Sequence, residues 1–414
     1  AAPPSKNYTT RFLLAAALAE GESLVENPAA NDDALAMQGC LRALGAAIEP
    51  AGGGLAVRGF GANPKPRAHL NVGNAGAVLR FLLGTAALAR EVTFHTPFPG
   101  SLGRRPNGDL LRALGDLGVE TESSDGRLPI TVRGNRPRGG GIRLSGSTSS
   151  QFLSSLLFLA PLLPEGLEIR VTDGLRSRAA VLTTLEVLAR AGVRAEADWE
   201  NLVFHVPGGQ AYRPGRFTVN GDYPAALSIL APAAILAGEV TVTGLFPDSQ
   251  GERAAVEALA AMGAGVFRGE DRVRLVGGGP LRGIDMDGDG IIDAVLSLAA
   301  AASFAGGASV FHRVGHLRHK ESDRLGDFAL EMNRAGLAVE PRGESLHVSG
   351  RPEGIEGGVT VSAHEDHRLV MALAAVGLRA RCGLTIEGAE HVSKSYPGFF
   401  EALASLGAAV RCEA

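Results

Sequence analysis

The chain has 414 residues, of which 45% are hydrophobic and 20% charged, and its net charge is −4. That length exceeds one ordinary hydrophobic core and implies two domains, while the near-neutral balance excludes a general binder of nucleic acid or of anionic membranes. Cys40, Cys382 and Cys412 show no C-x-x-C spacing, which indicates a reducing compartment, with the cytoplasm as the expected location, and no disulfide framework.

In chain order, apolar runs over residues 6–19, 75–90, 150–163, 223–237, 293–305 and 367–379 predict helices. Each is opened by a polar residue or glycine: Ser5, Gly76, Ser149, Asp222, Asp293 and Asp366, spaced 71 to 73 apart. Runs such as SSQFLSSLLFLAPLL and PAALSILAPAAILA are apolar on nearly all sides, so these helices must be surrounded by protein. Second, amphipathic helices such as RAAVLTTLEVLARAG follow in each segment. They end at Gly45, Gly118, Gly192, Gly263, Gly336 and Gly407, spaced 71 to 74 apart, where glycine takes the left-handed C′ conformation. Strand-like runs lie between, at 167–172, 202–207, 239–244, 273–277, 345–350 and 384–388. The two series in phase describe six copies of one unit of about 72 residues. An α/β architecture follows, with sheets surrounding buried helices, three units per domain and a boundary near Asn220-Gly221.

Several signals lead elsewhere and fail. Lys6, Arg11 and FLLAAALA imitate a secretory signal, but the run is the first helix of the first repeat. The uncharged stretch from Ala294 is broken by Gly and Ser and recurs as a repeat element, so it reads as a buried helix and not as a membrane span. Asp285-x-Asp287-x-Asp289-Gly290 copies the start of an EF-hand loop, yet position 12 is Leu296, so the bidentate calcium ligand is missing. His316/His319 and His364/His367 lack further metal partners. There is no Walker loop and no strand-linked G-x-G-x-x-G, and Asp366-His367 without a serine elbow is weak support for a hydrolase.

The chemistry-bearing residues cluster at helix starts and connections. Free N–H groups at a helix start hold carboxylates and phosphates, and here they come with cations: Lys6 and Arg11, Asn74 and Gly76 with Arg80, Ser149-Ser150-Gln151, and Arg368 after Asp366-His367. Arg104-Arg105, Lys320-Glu321-Ser322-Asp323-Arg324 and Lys394 lie in connections. Such a set suits a ligand with several anionic groups. Asp293 reads either as a helix cap or as a proton acceptor, and Glu321 either as a structural ion pair or as a proton-transfer group.

The segments SKNYTTR (5–11), GNAGAVLR (73–80), RRPNGDLL (104–111), SGSTSSQF (145–152), NGDYPAA (220–226), DGIIDA (289–294), LRHKESDRL (317–325), EDHRLVMAL (365–373) and SKSYPGFF (393–400) resemble the 5-enolpyruvylshikimate-3-phosphate synthase family over nearly the whole chain. The resemblance implies a two-domain enolpyruvyl transferase fold of six βαβαββ-like repeats. The first domain would be 6–219 and the second 220–414 with residues 1–5, the active site lying in the cleft between them. It implies transfer of the enolpyruvyl group of phosphoenolpyruvate to the 5-hydroxyl of shikimate 3-phosphate, with release of phosphate through a tetrahedral intermediate. No metal or organic cofactor is implied, and a monomer is expected. By position, phosphoenolpyruvate would be held by Lys6, Asn74, Gly76, Arg105, Gln151, Arg324, Arg368 and Lys394. Shikimate 3-phosphate would be held by Lys6, Asn7, Arg11, Ser149, Ser150, Gln151, Ser177, Asp293, His316 and Lys320. Asp293, Glu321 and Lys6 would be catalytic.

Asn7, Ala77, Phe81, Ala180 and His316 depart from the family's commoner residues and bear on individual substrate contacts and on glyphosate sensitivity. Most relatives carry about one more strand upstream, so a truncated start is an expectation. The sister enolpyruvyl transferase acting on UDP-N-acetylglucosamine shares the fold, but it uses a cysteine where this chain has PFPGSLGRRPN (97–107). A non-catalytic scaffold of the same fold would have lost charged residues that are all present here.

Overall fold

Polar openers and terminal glycines delimit the helices. In the computed structural model, which describes residues 1–413, the helices in chain order are α1 (Lys6–Ala17), α2 (Asp32–Leu44), α3 (Gly76–Ala86), α4 (Gly108–Asp116), α5 (Ser150–Leu159), α6 (Arg178–Arg190), α7 (Tyr223–Ile235), α8 (Arg253–Met262), α9 (Val295–Ala302), α10 (Arg324–Arg334), α11 (His367–Gly377) and α12 (Phe399–Ser405). The six terminal glycines all have φ between 78° and 114°, a region that side-chain-bearing residues rarely enter. The odd-numbered helices are the buried ones. All thirteen residues of α7 and all eight of α9 are buried, and the signal-like FLLAAALA run fills the buried end of α1, with its last two residues, Leu18 and Ala19, buried just beyond the helix. Among the described residues no helix is long and apolar enough to cross a membrane.

Each buried helix ends two to four residues before the predicted point, and hydrogen bonding explains the early stops of α1 and α9. The carbonyls at these two ends are taken by chain arriving from a strand: Phe60 N donates to Ala17 O (2.8 Å) and Arg351 N to Ser303 O (2.8 Å). A further turn would compete for the same acceptors. The predicted start at Asp293 also needs correction. A 3-10 turn occupies Asp289–Ile291, α9 begins at Val295 behind Ala294, and Asp293 is not its cap.

The chain divides into two compact units, one of Pro4–Asn220 and one of Ala1–Pro3 with everything from Gly221 onward. In the Pro4–Asn220 unit, three four-stranded sheets share one plan. Arg67–Asn71 runs parallel to Glu91–His95, with α3 as the crossover, and the hairpin strands Glu120–Ser124 and Arg127–Arg133 complete the sheet antiparallel. Gly140–Ser145, Leu167–Thr172, Val203–Val206 and Glu196–Asp198 repeat this around α5. The third sheet pairs Glu22–Glu26 with Gly54–Arg58 and Ala47–Ala51, but its parallel strand is Arg216–Thr218, which precedes α7 in the chain. The strand that opens the fourth repeat therefore closes the sheet of the first. In the other unit, Asp285–Asp287, Ala308–His312, Ser345–Ser349 and Ala338–Arg342 form the four-stranded version. Gly238–Thr243 pairs with Arg272–Gly277 and Gly265–Arg268, and Val359–Ser362 runs parallel to Leu384–Glu387. Each unit has its own apolar core around its buried helices.

Candidate active site

In the Pro4–Asn220 unit the start of α1 presents Lys6, whose Nζ lies 3.2 Å from Asp33 Oδ2 on α2. Asn7, half-buried beside it, offers its carbonyl to Arg11 Nη1 (2.9 Å). Arg11 is buried and ties α1 to α6, donating from Nε to Thr184 Oγ1 (2.9 Å) and from Nη2 to Ala180 O (3.1 Å), with its guanidinium over the Phe81 ring. Ser177 stands before α6 with a left-handed φ of 50°.

The starts of α3 and α5 are wired together by Arg80. Its Nη1 donates to Gln151 Oε1 (2.8 Å) and Ser149 Oγ (3.3 Å), and its Nε to Asn107 Oδ1 (3.3 Å). Ser149 caps α5 by accepting from Gln151 N, and Ser150 is buried behind it. The same arginine thus fixes the loop that carries Arg105. A Cβ at Gly76 would stand 2.8 Å from Arg105 Nη1. The glycine lets that guanidinium lie directly over the first turn of α3, where N–H groups already favour an anion. Asn74 sits half-buried just before that turn.

The other unit concentrates carboxylates and cations. Arg324, 2% exposed, donates from Nε to Asp366 Oδ2 (2.7 Å), from Nη1 to Asp293 Oδ1 (3.1 Å), and from Nη2 to Glu321 Oε2 (2.8 Å) and Asp366 Oδ1 (3.2 Å). Burial works against its charge, but Asp366, Glu321 and Asp293 more than offset that and raise its pKa. Lys394 Nζ holds the second oxygen of Glu321 at 2.7 Å. Asp366, fully buried, caps α11 by accepting from Arg368 N (2.8 Å). Arg368 is equally buried, yet Nε, Nη1 and Nη2 have no hydrogen-bond partner among the described residues. Its nearest carboxylate oxygen is Asp293 Oδ2, 3.9 Å from Nη2. Lys320 is half-buried at the end of the turn Gly315–His319. His316 Nε2, in the same turn, lies 3.8 Å from Asp289 Oδ1.

The residues named from sequence thus fall into two sets. Lys6, Asn7, Arg11, Asn74, Gly76, Arg105, Ser149, Ser150, Gln151 and Ser177 belong to one unit, and Asp293, His316, Lys320, Glu321, Arg324, Arg368 and Lys394 to the other. Sequence reasoning passed over Glu252. It is buried at the start of α8, and its pKa is pushed up to about 7 by burial first and then by Asp293 and Asp222, with Arg368 opposing. Nothing in GERAAVEALAAMG marks it out from an ordinary helix start. Asp366 and Asp222 were visible as helix openers, but not as partners of Arg324 and Glu252. The EF-hand-like carboxylates have protein partners: Asp287 pairs with Arg313, and Asp285 with His312 at 2.9 Å.

The overall architecture matches solved enzymes. EPSP synthase from Acinetobacter baumannii gives a TM-score of 0.79 at 25% identity, covering 98% of this chain and 94% of that one. The enolpyruvyl transferase NikO from Streptomyces tendae, at 20% identity, gives the same TM-score over 99% and 94%. The fold is that of the enolpyruvyl transferases. Within that class, the family model for EPSP synthase (3-phosphoshikimate 1-carboxyvinyltransferase) matches residues 1–403. The 3-phosphoshikimate 1-carboxyvinyltransferase of Deinococcus radiodurans is 50% identical over 408 residues, 98% of this chain and 92% of that protein. The one from Methanocella arvoryzae is 40% identical over 413 residues, 99% and 96%. The chain belongs to the EPSP synthase family.

Proposed function

We propose that this chain transfers the enolpyruvyl group of phosphoenolpyruvate to the 5-hydroxyl of shikimate 3-phosphate, releasing phosphate by addition and elimination through a tetrahedral adduct. At the site, the observation that supports this reading is Arg368: a guanidinium 2% exposed, without a hydrogen-bond partner among the described residues, with the Asp293 carboxylate 3.9 Å away. A buried cation of this kind is completed by an anion from outside the protein.

The reaction needs a proton taken from the acceptor hydroxyl and one delivered to the enol methylene carbon. Asp293 takes the first role and Glu321 the second, with Lys6 supporting proton transfer. Glu321 is gripped on one oxygen by Arg324 and on the other by Lys394, which makes it a poor proton donor while so held. An arriving substrate carboxylate competes for the Arg324 fork and for Lys394. It thereby loosens Glu321 and Asp293 at the moment they are needed. Lys6, Asn74, Gly76, Arg105, Gln151, Arg324, Arg368 and Lys394 receive phosphoenolpyruvate. Lys6, Asn7, Arg11, Ser149, Ser150, Gln151, Ser177, Asp293, His316 and Lys320 receive shikimate 3-phosphate. The dense positive charge offsets the repulsion between two polyanions and stabilises the charged adduct. Each unit carries only part of this set, so turnover draws on both. The protein acts as a cytoplasmic monomer, which light scattering coupled to size exclusion checks for the assembly state.

Phosphate release from phosphoenolpyruvate, assayed with shikimate 3-phosphate and with UDP-N-acetylglucosamine, tests the reading. Release with the former alone is expected, whereas release with the UDP-sugar alone, or with neither, would overturn it. Glu321→Gln and Asp293→Ala should each lower kcat by about 10²–10⁴ while changing KM far less. Equal losses in both parameters would remove the proton-transfer roles.

A further inference from the structure

His364 and Glu365 are consecutive non-glycine residues at φ 48° and 57°, directly before Asp366, His367 and Arg368. Side-chain-bearing residues enter this region at a penalty, and two in succession persist only where the surroundings hold them. The downstream side of the turn is held by Asp366, which accepts from Arg324 Nε (2.7 Å), Arg368 N (2.8 Å) and Ser322 Oγ (3.4 Å). The upstream side is held by the His364 ring. Its Nε2 donates to Glu331 Oε1 on α10 at 2.9 Å, and its Nδ1 lies 3.8 Å from Asp327 Oδ1, one turn earlier on the same helix. Glu331 is only 1% exposed, and its other oxygen faces Arg334 Nη1 at 3.2 Å. The His364 backbone N–H adds a bond to Ser362 Oγ at 3.2 Å. A surface loop has no need of a buried carboxylate beneath it. This turn has one, and the first residue it delivers into α11 beyond His367 is the guanidinium that lacks a hydrogen-bond partner.

We propose that His364, seated on Glu331 and Asp327, is a positioning residue that sets the anion affinity of Arg368 by locking the left-handed 364–365 turn. The imidazole touches neither substrate. It fixes where α11 begins and therefore where the Arg368 fork stands relative to Asp293. This rests on the reading of Arg368 as a contact for the carboxylate or phosphate of phosphoenolpyruvate. The predicted signature is a selective one. The enolpyruvyl donor loses affinity, while contacts of shikimate 3-phosphate in the Pro4–Asn220 unit are untouched.

The test compares His364→Ala with His364→Gln, whose side-chain amide can donate to Glu331 Oε1 in place of Nε2. His364→Ala should raise KM for phosphoenolpyruvate about tenfold and KM for shikimate 3-phosphate by less than about twofold, with His364→Gln restoring most of the loss. An unchanged KM for phosphoenolpyruvate, or equal rises for both substrates, overturns the proposal. A crystal structure of His364→Ala supplies a readout independent of turnover. The 364–365 turn should leave positive φ and the Arg368 guanidinium should move by about 1 Å or more, and a retained turn overturns the proposal. If His364→Ala does not fold, Glu331→Leu, which keeps the side chain's bulk but removes the acceptor of His364 Nε2, takes its place in both measurements, with shifts of the same sign expected and their absence equally decisive. If the parent protein itself shows no turnover, the functional reading has failed, and the crystal structure still decides whether His364 holds Arg368.

Discussion

Two arginines of equal burial have opposite surroundings: Arg324 is held by protein carboxylates, whereas the Arg368 side chain has no hydrogen-bond partner among the described residues. Arg324 offers its fork to Asp366, Glu321 and Asp293, so Arg324→Ala strands three carboxylates near one another. Breaking a buried pair in this way costs about 3–5 kcal/mol, to be read from urea unfolding. Arg368→Ala removes a cation that no described residue hydrogen-bonds through its side chain. It should leave the unfolding midpoint nearly unchanged while raising KM for phosphoenolpyruvate about 100-fold. Glu252 gives a pH test with a definite sign. Its folded pKa near 7 lies above its ordinary value of 4.5, so the folded state keeps a proton that the unfolded chain releases. Its contribution is fully present below the ordinary value and is lost as pH rises through about 7. Glu252→Gln should therefore stabilise the protein by about 1–3 kcal/mol at pH 8 and by little at pH 4, measured by denaturant unfolding at both values.

At the scale of elements, the repeated device is a glycine that leaves the last strand of a unit and passes under the end of a buried helix. A Cβ at Gly59 would stand 2.2 Å from Ala19 O, at Gly134 2.1 Å from Ala89 O, at Gly277 1.8 Å from Ala233 O and at Gly350 1.9 Å from Ala305 O. The obstacle is backbone, so it cannot swing away. Gly277→Ala should cost about 3 kcal/mol or more, seen as a lowered urea midpoint. Gly76 is the contrasting case, because the obstacle there is the mobile tip of Arg105. Gly76→Ala should leave stability within about 0.5 kcal/mol and instead displace the guanidinium. The readout is a rise in KM for phosphoenolpyruvate of about tenfold, without a matching shift in unfolding.

For the whole molecule, the chain passes from one unit to the other twice, after Pro3 and after Asn220. Within the Pro4–Asn220 unit, Ser5 N donates to Asn220 O at 2.8 Å, and within the other, Asp222 N donates to Pro3 O at the same distance. The two passages are therefore tied side by side in each unit by a backbone hydrogen bond. If turnover draws on residues of both units, ligands that engage both must couple them. The radius of gyration from small-angle scattering should fall when shikimate 3-phosphate and phosphoenolpyruvate are both present. A curve identical to that of the free protein would count against this coupling.

What the sequence by itself determined is local and periodic. Openers such as Ser149 and Asp366, terminal glycines such as Gly45 and Gly263, and runs without a polar face identify helix starts, helix ends and buried helices, because capping, left-handed φ and amphipathicity act within a few residues of chain. The motif segments likewise named Arg324, Glu321 and Arg368 as chemistry-bearing residues. Which carboxylates Arg324 grips was settled only by tertiary structure, since Asp293 and Asp366 lie 31 and 42 residues away from it and any of several acids met the same local description. The same holds for the release of Asp293 from capping, the raised pKa of Glu252, and the Arg216–Thr218 strand that completes the first repeat's sheet. Pairing between distant groups depends on which segments packing brings within a few ångströms, and a short window of sequence carries no record of that distance.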